Sequence, residues 1–466
     1  MTAPGDGLTE LMTGPYLDAR PRPGRLDAVT LLTCYVVLLL MIPSDLVVGS
    51  FGSAGGPAAI LSVFLLGWYL IARQHPRLGL DRGRQPIRLA AILFGCSIIA
   101  AYISANRALL PAAQESGADR GLIVLAGWLG VLLLAADGIG RTDRLRTLLR
   151  RIVLCATVLA ALAWLEFFTG VDLTTYISIP GLTVHNQITD LINRDGLSRV
   201  MATAAQPLEF ASVLAMSLPL AIHQARFALR SRRGRRWLQV ALLAGALPMT
   251  VSRSALLGLV AICVVLFPTW PKRERRRAYV IILAAPLLVW LARPGVVKVF
   301  STLFGQIGTD QSSKSRTGAY AAAAPFITQH PWFGRGFHTF FPQTYFFVDN
   351  QYLTSLIETG IVGLLALVAL LATGWFTARS ARLVSTDARS RDLAQCLAAS
   401  VAAAAVSFAT FDGLSFTIAS GLCFLLLGCT GAAWRLAVAD RAGTGGFVSA
   451  DDAGLRTRRA AAPGEL

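Results

Sequence analysis

Residues 316–371 read RTGAYAAAAPFITQHPWFGRGFHTFFPQTYFFVDNQYLTSLIETGIVGLLALVALL. The stretch begins polar, passes through turn and aromatic residues, and runs unbroken into a long apolar helix. The turns around Trp332 to Gly336 need backbone freedom that glycine supplies cheaply. Asp349, Asn350, Gln351 and Glu358 stand just before or just inside that helix. Polar and ionisable groups at a membrane boundary are costly, so they mark function more often than chance. The plainer alternative is a re-entrant loop whose polar groups only solvate a helix end.

The rest of the chain supplies the membrane that this boundary implies. Hydrophobic residues make up 54% and charged residues 15% of the 466, far from the soluble average. Several apolar runs are long enough to cross hydrocarbon about 30 Å thick. They lie at about 28–48, 57–73, 87–104, 121–137, 148–168, 208–224, 237–251, 254–268, 278–293, 352–376, 394–411 and 414–434. The expectation is an all-α, polytopic membrane protein of about 12 transmembrane helices. The pair 237–251 and 254–268 is short enough to be a hairpin that crosses only in part.

Charge sets the orientation. All but ten of the 43 lysines and arginines fall in alternate loops and the two tails, which by the positive-inside rule puts both termini in the cytoplasm. The net charge of +17 is thereby explained by loop sorting against membrane lipids, and no nucleic-acid partner is implied. Residues 1–27 and 438–466 read as disordered cytoplasmic tails flanking a transmembrane domain over 28–437. The two long loops, 169–207 and 294–351, fall on the outer face, and chemistry belongs there. The larger is partly helical: Ala-rich sequence favours a helix from about Thr317 to Gln329, ended by His330-Pro331. A shorter helix is expected near Gln187 to Asn193. All seven cysteines sit in apolar runs without paired spacing, and read as small buried hydrophobes.

Outward arginines break the sorting rule, so each needs an account. Arg253 is wedged between two apolar runs in Thr250-Val251-Ser252-Arg253-Ser254. A guanidinium there either snorkels to lipid headgroups or meets an anion. Arg199 and Arg316 sit at the mouths of adjoining helices. Three such forks suit a diphosphate, whose oxygens they can bind in pairs. Among the outward carboxylates, Asp349 stands where a general base could meet an arginine-held substrate. Glu209 and Glu358 lie inside helices, where pairing with arginine is the expectation. Of the outward histidines (His185, His330 and His338), His330 precedes Pro331 and reads as structural, and His338 is the better substrate contact. No HxxxH or HExxH spacing, P-loop, GxGxxG after a strand or GxSxG elbow occurs, so neither a metal nor a cofactor is expected.

These residues resemble a known family. His330-Pro331-Trp332-Phe333-Gly334-Arg335-Gly336, then Asp349-Asn350-Gln351-Tyr352-Leu353, then Glu358-Thr359-Gly360-Ile361-Val362-Gly363 is similar to the signature of the O-antigen ligase and polymerase family: hP-x-x-G-x-G, H-N-x-x-L, E-x-G-x-x-G. Ser252-Arg253-Ser254-Ala255-Leu256-Leu257-Gly258 resembles its arginine motif before a helix. Ser198-Arg199-Val200 with Gln206-Pro207-Leu208-Glu209-Phe210 is similar to its outer-loop arginine and the helix after it. The resemblance implies transfer of a glycan from a polyprenyl diphosphate to a hydroxyl of a glycan or lipid acceptor, at the outer face of the cytoplasmic membrane. Carried over, Arg199, Arg253 and Arg316 would hold the diphosphate and stabilise its charge as it leaves. Arg335, His338, Asn350, Glu209 and Glu358 would be substrate contacts. Asp349 replaces the family's histidine, and as a carboxylate it can still accept a proton.

Two other readings stand beside this one. A lipid-linked glycan transporter or flippase would also use twelve helices with broken segments, but no matching pair of interrupted helices occurs in the two halves. A scaffold without activity would be consistent with Asp349.

Overall fold

The computed structural model describes residues 27–49, 55–75, 80, 83–107, 111–184, 193–194, 197–292 and 311–460. Among them are thirteen α-helices. They are α1 (Ala28–Met41), α2 (Pro57–Gln74), α3 (Pro86–Asn106), α4 (Ala112–Gly138), α5 (Thr142–Thr169), α6 (Pro207–Arg226) and α7 (Arg233–Met249). Then follow α8 (Arg253–Leu266), α9 (Lys272–Ala292), α10 (Gln311–Gln329), α11 (Gln351–Val384), α12 (Ala388–Phe408) and α13 (Thr417–Ala460). The chain is an all-α, multi-pass membrane protein. Among the described residues, seven helices are long and apolar enough to cross, namely α2 to α6, α11 and residues 417–443 of α13. The apolar α1 and the α8 region are shorter. Each of the twelve apolar runs lies on a helix, while the number that cross is smaller by this measure than the twelve expected.

Several boundaries differ from those the hydropathy suggests. The first run was expected to reach residue 48, yet α1 ends at Met41 and Ile42 is extended at φ −92°, ψ 128°. Pro43 is the cause, because the residue before a proline is pushed out of the helical region. Leu46–Val47 (β1) instead pairs with Thr183–Val184 (β2) of the first long loop, antiparallel. Asn193–Arg194 (β3) pairs with Leu197–Ser198 (β4); residues 187–192 of the expected short helix lie outside the described residues. The expected helix of the second loop is α10, which starts earlier and stops at Gln329, before His330-Pro331. α13 runs on past residue 437, where the sequence suggests a tail begins.

α6, α13 and α4 form the centre, with 83%, 72% and 67% of their apolar windows buried, against 28% for α2 at the edge. Small residues let the helices close on one another. A Cβ at Gly130 of α4 would lie 2.5 Å from the Ser62 carbonyl oxygen of α2, and one at Gly428 of α13 would lie 2.4 Å from the Leu132 carbonyl oxygen of α4. Large apolar side chains such as Phe64, Leu89, Leu93 and Val264 face outward. In water that pattern would be an aggregation hazard; in a bilayer it is the lipid contact.

Candidate functional site

The ends of α5, α7 and α12 and the starts of α6, α8, α11 and α13 meet at one end of the bundle, and the site residues gather there. The centre of the arrangement is a break in α11. Gly360 has φ 66° and ψ −168°, a conformation essentially reserved for glycine. The break frees helical carbonyls and amides, and the turn at 331–336 takes them up. Arg335 N–H donates to the Ile357 carbonyl (3.1 Å) and Gly336 N–H to that of Glu358 (2.8 Å). In return Ile361 N–H donates to the Pro331 carbonyl (2.9 Å) and Val362 N–H to that of Trp332 (3.2 Å). Two backbones pass so closely that a Cβ on Gly334 would lie 2.3 Å from Glu358 backbone atoms. The motifs HPWFGRG and ETGIVG are therefore two sides of one ladder.

Glu358 strengthens the same junction, its Oε1 accepting from Phe340 N–H at 3.2 Å. Glu209 is fully buried; Ala205 N–H donates to its Oε2 (2.9 Å), and Ile418 and Ala419 N–H donate to its Oε1 (2.8 and 3.1 Å). It thus satisfies orphan amides in the first turn of α13. Arginine was the expected partner for both carboxylates, and backbone amides take that place. A helix start buried in protein has no water to satisfy its donors, which is why the carboxylate is there. Glu209→Ala leaves three donors unpaired, two of them buried at about 1–3 kcal/mol each, so a large drop in melting temperature in detergent is expected. A melting temperature unchanged from wild type would refute that role.

Arg199, only 8% exposed, is the best-positioned arginine. Its Nε donates to the Thr250 carbonyl at 3.0 Å, bringing it to the turn that carries Arg253. Glu166 anchors the Arg199 turn, its Oε2 accepting from Met201 and Ala202 N–H (3.3 and 3.1 Å). Arg253 is half-buried and opens α8, whose N-cap is the Ser252 hydroxyl accepting from Ser254 N–H. Arg316 lies in α10, and its side chain falls outside the described residues, as does His185. Positive φ occurs at three non-glycine residues among those described, Ala202 (48°), Val251 (47°) and His338 (60°). For a β-branched residue such as Val251 this is costly, and strain of this sort gathers at functional sites. Ala202 and Val251 flank the two arginines.

Asp349 is half-buried, and the turn after α12 brings a second carboxylate, Asp412, beside it. Gln351 fixes that approach: its N–H donates to the Phe411 carbonyl (3.2 Å) and its Oε1 accepts from Leu414 N–H (2.6 Å). Ser415 hydroxyl donates to Asp412 Oδ2, while Oδ1 is buried without a partner. Burial, and then the charge of Asp349, push Asp412 up to about 6. In the sequence Asp412 is one outward carboxylate among several, and its place in a tight polar turn between two apolar runs is the available signal.

The remaining predicted contacts are held by protein groups. Asn350 Oδ1 caps α11 by accepting from Tyr352 N–H (2.9 Å), and its amide donates to Tyr320 hydroxyl of α10 (3.0 Å). Arg335 stacks on Phe326 and Tyr345, 5.0 and 4.9 Å from the ring centroids, and donates to Tyr345 hydroxyl at 2.9 Å. His338 lies in a cavity of about 290 Å3 lined also by Asp45, Arg120, Trp128, Ser415 and Thr417. Desolvation, reinforced by the Arg120 charge, pushes its imidazole down to about 4. At neutral pH it is an uncharged hydrogen-bonding group and a weak base. Ser415 joins this cavity to Asp412.

Among the described residues, one cluster of metal-ligating types lies at the opposite end, where His223, Asp392 and Cys396 approach within 4.8 Å. Asp392 is engaged there by His223 Nδ1 at 2.7 Å and by Arg226, a buried ion pair. Asp392 and Cys396 stand four apart on α12, while His223 comes from α6, far away in sequence.

Residues 238–368 match the sequence family described as O-antigen ligase. The match takes in Arg253, Arg316, the 331–336 turn, Asp349 and the Gly360 break. Arg199, Glu209 and Asp412 lie outside it. A comparison with curated proteins found no match.

Proposed function

We propose that this multi-pass membrane protein, whose residues 238–368 match the O-antigen ligase family, is a metal-independent glycosyltransferase. It moves or polymerises a glycan from a polyprenyl diphosphate onto an acceptor hydroxyl, at the outer face of the cytoplasmic membrane with both termini inside. The observation that carries this reading is the pairing of Arg199 with the turn of Arg253, at the same end of the bundle as Asp349. Arg199, Arg253 and Arg316 hold the diphosphate, and the planar forks match its oxygens. Asp349 takes the proton of the acceptor hydroxyl as that oxygen bonds to the anomeric carbon. The bond from that carbon to the phosphate oxygen breaks, and its electron pair leaves on the diphosphate, where the arginines stabilise it. The cavity beside His338 is suited to sugar, since it offers neutral and charged hydrogen-bonding groups against Trp128.

Asp412 makes the pH dependence specific. Below about 6 it carries a proton; above, its negative charge stands beside Asp349 and favours withdrawal of the proton from the acceptor hydroxyl. Transfer is therefore expected to rise with pH through about 6, and that limb should move or vanish in Asp412→Asn. Folding runs the other way: a carboxyl whose folded value is raised adds stability below its unfolded value, lost as pH rises through about 6. A pH–rate profile identical in the variant would contradict the coupling.

A further inference from the structure

At the end of the bundle opposite Asp349, a cavity of about 250 Å3 opens between α5, α6, α7 and α12. Five arginines line it, Arg146, Arg150, Arg232, Arg236 and Arg389, with His223 at its wall. No aspartate or glutamate is among its lining residues. Charge sorting by the membrane places arginines on one face, but it does not require five of them to surround one space.

Neighbouring arginines at the same end are treated differently. Arg88 and Arg73 share Asp137 at 2.8 and 3.4 Å, and Arg144 pairs with Asp27. Around the cavity, neutral acceptors predominate. Arg236 donates to Gln224 and Gln239 side-chain oxygens, each at 2.9 Å, and Arg150 donates to Thr147 hydroxyl at 2.8 Å. Arg146 reaches Ser390 hydroxyl (3.0 Å) and the exposed carboxylate of Asp387 (3.3 Å), while its buried Nε has no partner. The nearest buried carboxylate, Asp392, is already engaged by Arg226 and His223. Burial and then the mutual repulsion of Arg235, Arg150 and Arg232 push the Arg236 guanidinium below its ordinary value; burial and then Arg146 and Arg150 do the same to Arg389. Among the described residues, the carboxylates that offset this cluster are Asp387, exposed and bound to Arg146, and Asp143 acting on Arg389, so the five guanidiniums outnumber them.

We propose that this cavity binds a phosphate-bearing anion, which the arginine forks grip through its oxygens. The group can come from the headgroup of an anionic phospholipid in the adjoining leaflet or from free phosphate; the chemistry of recognition is the same.

The test uses the purified full chain in detergent. Thermal unfolding is followed with short-chain phosphatidylglycerol, with short-chain phosphatidylcholine and with inorganic phosphate. Retained lipid is read by native mass spectrometry. Wild type is compared with Arg150→Gln/Arg236→Gln/Arg389→Gln, with the single Arg389→Gln, and with Arg141→Gln as a control on the same face. Stabilisation by phosphatidylglycerol alone, weakened at least about 10-fold in the triple variant, assigns the site to a lipid headgroup. Stabilisation by inorganic phosphate, lost in the same variant, assigns it to the soluble anion. Arg389→Gln gives up no hydrogen bond of its own side chain seen here, so it keeps the test valid if the triple variant fails to fold, and it should weaken binding in the same direction. No stabilisation of wild type by either anion, or equal stabilisation of wild type and Arg389→Gln, overturns the proposal.

Discussion

Gly360→Ala is expected to lower the stability of the protein by ~4 kcal/mol or more, an unusually large effect for adding one methyl group. Three costs add. The backbone at φ 66°, ψ −168° lies where a residue with a Cβ is strained by about 1–3 kcal/mol. The added carbon would sit 2.4 Å from the Trp332 carbonyl carbon and oxygen, so the turn must withdraw. Withdrawal breaks the ladder between 331–336 and 357–362, and each bond lost leaves a buried helical group unsatisfied at about 1–3 kcal/mol. The same logic applies from the other side to Gly334, at φ 67°. Thermal unfolding in detergent measures the loss, and limited proteolysis between residues 330 and 350 should report the released turn. A Gly360→Ala protein that melts within a degree of wild type would mean that the two motifs do not support one another.

Arg253→Ala should reduce glycan transfer at least ~10^2-fold, the usual cost of removing one preorganised donor from a developing negative charge. The amount of folded protein should stay near wild type, because Arg253 opens α8 and the cap comes from Ser252. Arg253→Lys keeps the charge but loses the planar fork, so it should recover only part of the rate. Arg199→Ala is expected to act twice, losing the phosphate contact and the bond to the Thr250 carbonyl that joins the two turns. Its rate should therefore fall together with some loss of stability. Equal transfer by wild type and Arg253→Ala would remove arginine from the mechanism.

Much of this architecture is legible in the chain. The apolar runs lie on helices because length and hydropathy suffice in a bilayer, where every backbone group must bond within its own helix. His330-Pro331 ends α10 where proline chemistry says it should. What the sequence conceals is pairing at a distance. HPWFGRG and ETGIVG are visible as two motifs, but nothing local says that one fills the break in the other. Gln351 reads as a polar residue at a helix start, and only the fold reveals that it holds Leu414 and so brings Asp412 beside Asp349. Glu209 suggests an arginine partner because charges attract; the unsatisfied amides of a buried helix start, remote in sequence, are the stronger claim on it. The α1 boundary was missed for a local reason, since hydropathy continues smoothly through Ile42 while Pro43 forbids the helix to do so.

The central claim is tested most directly by reconstituting the protein with a polyprenyl-diphosphate-linked oligosaccharide and a panel of hydroxyl acceptors, and weighing the products by mass spectrometry. Wild type is expected to yield a new glycosidic product, and Arg253→Ala or Asp349→Asn little or none. Donor carried across sealed vesicles with no new glycosidic bond would contradict it, and would make the protein a transporter.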